Sequence, residues 1–271
     1  MSSHSKPADI SYERTLSERA YRLLRGDILA GRLPPGEKLR LQSLQERYGL
    51  GISPIREALM SLSNERLAVN EGQRGFSVAE VSEEDLVDIV KARRHIEAIL
   101  LKESMENGDD EWGAEITAAY YLLERISLPT DPRDDASIER FEVAHRKFHQ
   151  ALLSAAKSPW LQRIDEQLVA HSERYRRIRL LHMNGVRRAS PYEKREDGNV
   201  VGAHASLMQA VLAKDLPTAL ALLDEHISDT ARVVTEYLGY DAAVASADAS
   251  VDLEPAKPTR APAARKRSAA A

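Results

Sequence analysis

Cysteine is absent from the 271-residue chain. That excludes disulfide scaffolds, thiol catalysis and thiolate metal sites, and it suits a reducing cytoplasm. No apolar run approaches the ~20 residues that a membrane span requires. The opening stretch MSSHSKPADISYERTL lacks the apolar core of a secretory signal. Also missing are the HExxH, P-loop, GxSxG and GxGxxG patterns that would point to an enzyme. A net positive charge is missing too, since the chain carries −4. Split along its length, residues 1–80 carry +2, 81–240 carry −7 and 241–271 carry +1. The acid therefore sits in the middle segment, and the N-terminal part remains compatible with a polyanion.

Residues 15–80 read as short helices followed by a Gly-tipped hairpin. Ser17 is expected to cap a first helix with the stripe Ala20, Leu23/Leu24, Ile28, stopped by Gly31 and the Pro34-Pro35-Gly36 turn. Helices follow at about 41–48 and 53–65, the second with Ser53 as N-cap and Pro54 as its first residue. Leu67-Ala68-Val69 and Phe76-Ser77-Val78 are β-prone and flank Gly72 and Gly75. From 81 to 240 the spacing is helical throughout, with helices expected at about 83–106, 110–127, 136–156, 159–184, 197–213 and 217–238. Residues 1–14 read as an arm, and 241–271 as an Ala- and Pro-rich disordered tail with a few basic residues. The fold class is mainly α, a winged helix-turn-helix followed by an all-α bundle.

In such a layout the third helix enters the major groove while the hairpin reaches the neighbouring backbone or minor groove. Candidate contacts to double-stranded DNA are Arg40 before the second helix, Ser53 and Arg56 at the start of the third, and Arg74 and Gly75 at the wing tip. The plain alternative for Arg56 is a solvated side chain paired with Glu57 or Asn64. Glu57 would accept from a cytosine or orient Arg56. The run PPGEKLRLQSLQERYGLGISPIREALMSLSNERLAVNEGQRGFSVAEVS resembles the DNA-binding domain of the GntR family of bacterial transcription regulators, with SPIREAL and the Arg-Gly-Phe wing its most specific parts. The helical remainder resembles the FCD subfamily of the FadR-like branch. One departure is Ile52, where many relatives place an Arg in the turn, so base readout leans on Arg56 and the wing.

Four histidines fall on inward helical stripes. His145 and His149 are spaced i, i+4 on one face. His204 and His226 each lie eleven residues from Asp215, so an antiparallel hairpin sets them level, about 16 Å from the turn at ~1.5 Å per residue. A single inward His is usually a satisfied core residue, but four at one level point to a metal. The resemblance implies the same, because FCD domains commonly hold a divalent metal through an acid, a His four residues later and two further histidines. His149, His204 and His226 match the histidines. His145 stands where the acid is expected, and either ligates or serves the effector. Imidazoles suit zinc, with nickel or copper as alternatives, better than magnesium or calcium.

Arg93 and Glu97 also point inward. They either form an intrahelical pair or, as the resemblance implies for the Arg, meet a ligand carboxylate. His171 and Tyr175 complete the candidate effector-binding set, with Tyr175 equally readable as a core residue. Of Arg174, Arg176 and Arg177, most are expected in solvent. The resulting expectation is a cytoplasmic homodimeric regulator, a repressor rather than an activator, not membrane-bound and not an enzyme. It would bind a palindromic operator and release it on binding a small carboxylate, a dicarboxylate or hydroxy acid. The rival reading is a metal-dependent hydrolase with an accessory DNA-binding domain, which would have no use for the SPIREAL helix and the wing.

Overall fold

The computed structural model describes residues 15–127, 129, 134–181 and 200–238. The proposed arm, the tail and the loop around 185–197 lie outside them. Helix α1 (Leu16–Leu29) is capped by Thr15, two residues before the expected Ser17, because Thr15 and Glu18 form a reciprocal capping box. Ser17 instead donates its hydroxyl to Glu57, so Glu57 faces α1. Helices α2 (Leu41–Tyr48) and α3 (Ile52–Asn64) are joined through Gly49, whose positive φ ends α2 in the left-handed region. Gly51 is the N-cap of α3, which places Ser53 and Pro54 inside its first turn. There the proline costs nothing, since first-turn N–H groups have no intrahelical acceptor.

Strands β2 (Ala68–Asn70) and β3 (Phe76–Val78) form the wing, closed by a 3-10 turn at Gly72–Arg74. A strand not expected from sequence, β1 (Lys38–Leu39), pairs antiparallel on the far side of β3, giving the order β1-β3-β2. Its two residues are too few to show a period. Ala20, Leu24, Ile28, Leu39, Leu44, Ile55, Leu59, Leu62, Leu67 and Phe76 make the core of this unit.

Helices α4 (Glu83–Asn107), α5 (Asp110–Glu124), α6 (Asp135–Leu153), α7 (Pro159–Leu181), α8 (Val200–Leu212) and α9 (Leu216–Leu238) follow. No helix among the described residues is long and apolar enough to cross a membrane. A second core, with Leu86, Val90, Leu100, Phe148, Leu152, Val211, Leu223 and Ile227, lies between them. Helix α4 packs against α6, α7 and α9, while α8 and α9 pack on each other as a hairpin. Lys214 turns that hairpin with a positive φ of 57°. Its ammonium donates to the Met105 and Gly108 carbonyls at the end of α4.

Helical spacing in α7 predicts an inward stripe of Trp160/Leu161, Ile164, Leu168, His171 and Tyr175, yet Trp160 is 73% exposed and Ile164 is exposed as well. Arg174, Arg176 and Arg177 are all buried, against the expectation that most meet solvent. Each has an acceptor on a neighbouring element: Arg176 on Glu142, Arg177 on Glu139, and Arg174 on the Ala79 carbonyl. The C-terminal half of α7 is thus enclosed on several sides, so no single stripe describes it.

Candidate metal centre and nucleic-acid interface

Helix α6 presents His145 and His149 one turn apart, and the α8–α9 hairpin brings His204 and His226 level with them. The ring centroids of His204 and His226 are 4.6 Å apart, those of His145 and His149 4.6 Å, and those of His149 and His226 4.8 Å. One ring nitrogen from each of the four lies within 4.8 Å of the others. His145, His149 and His204 are buried.

Burial, then repulsion from the other imidazoles and from the Arg176 and Arg93 guanidinium groups, holds His145 and His149 well below the ordinary imidazole range. Both therefore stay neutral, the form that ligates metal. Neither ring nitrogen of His149 has a hydrogen-bond partner among the described residues. A buried polar group without a partner costs about 1–3 kcal/mol, and coordination would offset that loss. The donor set is nitrogenous and buried, which fits a transition metal.

Arg93 and Glu97 lie on the interior face of α4, both buried, joined by a 2.7 Å ion pair from Arg93 Nε to Glu97 Oε1. The intrahelical pairing is therefore present. The bond comes from Nε, and no hydrogen bond of the Nη groups falls among the described residues.

Tyr175 and His171 are not aimed at the histidines. The Tyr175 hydroxyl accepts from Ser82 N at 3.1 Å and lies 2.8 Å from Asp85 Oδ2 and 3.0 Å from the Ser82 carbonyl. It thereby pins the first turn of α4. His171 Nε2 meets the Glu65 carbonyl at the end of α3 at 2.8 Å, so Nε2 carries the proton. With Arg174 it lines a cleft of about 590 Å³ between the winged unit and the bundle. In this arrangement His171 ties α7 to the winged unit and Tyr175 ties it to the start of α4. Their partners lie 90 or more positions upstream, and nothing local signals that contact.

Sequence reasoning also missed Asp165. It is buried on α7 with Oδ1 lacking a partner, and burial followed by the Glu97 charge pushes its carboxyl up to about 8.

On the winged unit Arg40, Ser53, Arg56 and Arg74 are all exposed. Glu57 accepts from the Ser17 hydroxyl, and among the described residues Arg56 forms no ion pair with Glu57 and no hydrogen bond with Asn64. The N-terminus of α3, with Ser53 in its first turn, offers unpaired N–H groups to a phosphate. Gly75 at the wing has φ 84° and ψ −145°, a conformation open to glycine alone.

The comparisons with known proteins bear on this arrangement directly. Residues 16–78 match the model of bacterial regulatory proteins, gntR family, and residues 88–229 match the FCD domain model. The HTH-type transcriptional regulator BphR of Paraburkholderia xenovorans is 34% identical over 234 residues, 86% of this chain and 91% of that protein. The HTH-type transcriptional repressor GlaR of Escherichia coli is 36% identical over 207 residues, 76% of this chain and 90% of that one. The solved structure of E. coli McbR/YncC shares the fold, with a TM-score of 0.65 at 23% identity over 83% of this chain and 99% of that chain. Two domain models and two relatives above 30% identity agree, and all of them describe regulators rather than enzymes. The chain belongs to the GntR family of bacterial transcription regulators and carries an FCD domain behind its winged helix-turn-helix.

Proposed function

We propose that this regulator is a cytoplasmic homodimeric repressor that binds a palindromic operator and leaves it when a small carboxylate enters the histidine-lined interior. Residues 15–80 form the DNA-reading domain and 81–240 the effector-binding and dimerisation domain. Arg40, Ser53 and the N-terminus of α3 hold phosphates, Arg56 reaches base edges, and Arg74 with Gly75 brings the wing to the minor groove. His145, His149, His204 and His226 hold a divalent transition metal, zinc or alternatively nickel. When bound, the metal supplies a cationic anchor for one carboxylate of a dicarboxylate or hydroxy acid. Arg93 receives the anion through its Nη groups.

The observation that carries this reading is the convergence of four imidazoles from three helices within 4.8 Å inside a regulator's second domain. A ligand shifts the DNA-binding equilibrium only by its differential affinity for the two states. Helix α7 supplies the physical link, because it is buried in the bundle at Asp165, grips the winged unit at His171 and Arg174, and holds the start of α4 at Tyr175.

The test is operator binding by the full chain at fixed salt, with and without C2–C6 carboxylates. Arg56→Ala should abolish specific binding and keep the fold, since it is exposed at the start of α3. Equal operator affinity of Arg56→Ala and parent, or operator binding indifferent to every carboxylate, refutes the reading.

A further inference from the structure

Two buried carboxyls of the bundle interior, Glu97 and Asp165, each keep an oxygen unpaired among the described residues. Glu97 is fully buried, and only its Oε1 is engaged, by Arg93 Nε at 2.7 Å. Its Oε2 is buried without a partner among the described residues, and so is Oδ1 of Asp165, which is 7% exposed. The two carboxyls come from different helices, α4 and α7, which pack along their length. They feel each other's charge, yet no hydrogen bond joins them. Arg93, bonded to Glu97, stands on α4, which packs against both α6 with His149 and α7 with Asp165, and its charge acts on both of those groups. Each orphan acceptor costs free energy unless something donates to it.

Resting on the carboxylate-effector reading above, we propose that Glu97 and Asp165 form a subsite for a hydrogen-bond donor, the hydroxyl or ammonium group of an amino or hydroxy acid, while its carboxylate sits toward Arg93 and the histidines. A second ligand carboxylate there would set another negative group against Glu97, whose charge already helps to keep Asp165 protonated. An ammonium group donates to both orphan oxygens, while a hydroxyl donates its one hydrogen to Glu97 and accepts from the protonated Asp165 carboxyl. Burial and Glu97 push Asp165 up to about 8, which likewise favours a group bringing hydrogen or positive charge. A site built around such a hydrogen bond discriminates strongly against analogues that lack the donor, because its buried groups are then left unpaired.

The experiment is calorimetric titration of the zinc-loaded full chain with C3–C6 straight-chain monocarboxylates and their 2-hydroxy, terminal hydroxy, terminal amino and terminal carboxy derivatives. The expected result is that a hydroxy or amino member binds at least ten-fold tighter than both the unsubstituted acid and the dicarboxylate of equal length. That preference should collapse in Asp165→Leu, a near-isostere without hydrogen-bonding groups, and in Glu97→Gln. Zinc content and melting curves establish that the variants are folded. Should Glu97→Gln fail to fold with Arg93 unpaired, Asp165→Leu decides alone. Tightest binding by a dicarboxylate or an unsubstituted acid, or a preference that survives in Asp165→Leu, overturns the donor subsite and leaves the carboxylate reading standing. Binding by no member of the panel removes both.

Discussion

Tyr175→Phe deletes one oxygen atom that holds α7 to the start of α4, just after the winged unit, and the loss follows from the contacts that atom makes. The ring is fully buried and the phenylalanine keeps its packing. What disappears is the bond from Ser82 N at 3.1 Å and the donation to Asp85 at 2.8 Å or the Ser82 carbonyl at 3.0 Å. A phenol has one hydrogen, so these amount to one accepted bond and one donated bond shared between two acceptors. A typical net contribution is about 0.5–1.5 kcal/mol for a neutral bond and about 1.5–3 for one to a charged group. Asp85 is exposed and rehydrates, which removes most of the charged term. The half-buried Ser82 N–H does not rehydrate as easily. The expected loss is therefore about 1–2 kcal/mol, a melting shift of roughly 2–4 °C for each kcal/mol in a domain of this size. Calorimetry of parent and variant, at equal zinc and protein concentration, measures the shift. Hydrogen exchange should rise locally at residues 79–86, the linker into α4, and remain unchanged around Phe148. An unaltered melting temperature with unaltered exchange in the linker would show that the hydroxyl pins nothing.

His149→Ala should release the metal, since it removes one of four nitrogen donors and the one whose two ring nitrogens both lack partners. Elemental analysis of untagged protein, with about one transition-metal ion per chain in the parent and none in the variant, checks it. Asp165 supplies a pH signature. Its folded pKa, about 8, lies above the unfolded value near 3.9, so the stability tied to its proton is complete below pH ~4 and is lost as pH rises toward 8. The stability difference between parent and Asp165→Asn, measured in urea at constant zinc, should therefore fall by roughly 1 kcal/mol per pH unit across that window. A flat difference would place Asp165 in water.

Much of the fold was legible because apolar spacing carries it. The stripe Ala20, Leu24, Ile28 is the buried face of α1, and the Gly49–Pro54 stretch marks the break between α2 and α3. The histidine cluster was legible for a related reason. His204 and His226 are equidistant from the α8–α9 turn, and antiparallel helices of equal rise must bring such positions level. His145 and His149 need only the helix period. What failed was the sequence Ser172–Arg177, where every residue is buried although five of the six are polar. A period detects a helix with one wet side. It is blind to a segment covered by α6 through Glu139 and Glu142, and by the winged unit through Glu65 and Ala79.

The same contrast separates the parts of the candidate site. The candidate DNA residues and each of the two histidine pairs are displayed by single helices or hairpins, so they can be found one element at a time. Asp165, His171, Arg174 and Tyr175 depend on which helices meet. Each is unremarkable within α7, and each acquires its role from a partner on α3, α4 or the linker before it. Coupling a ligand in the bundle to DNA at the wing requires contacts of this second kind, because a coupling free energy exists only where two units share a structural element that both can bias. Helix α7 meets that requirement: it spans 23 residues, and from Asp165 to Tyr175 is ten residues, about 15 Å at the helical rise. A displacement of the helix at its interior end thus moves the His171–Glu65 and Tyr175–Ser82 bonds with it, whereas a rearrangement confined to α8 and α9 reaches the winged unit only through the packing of α4 and α7.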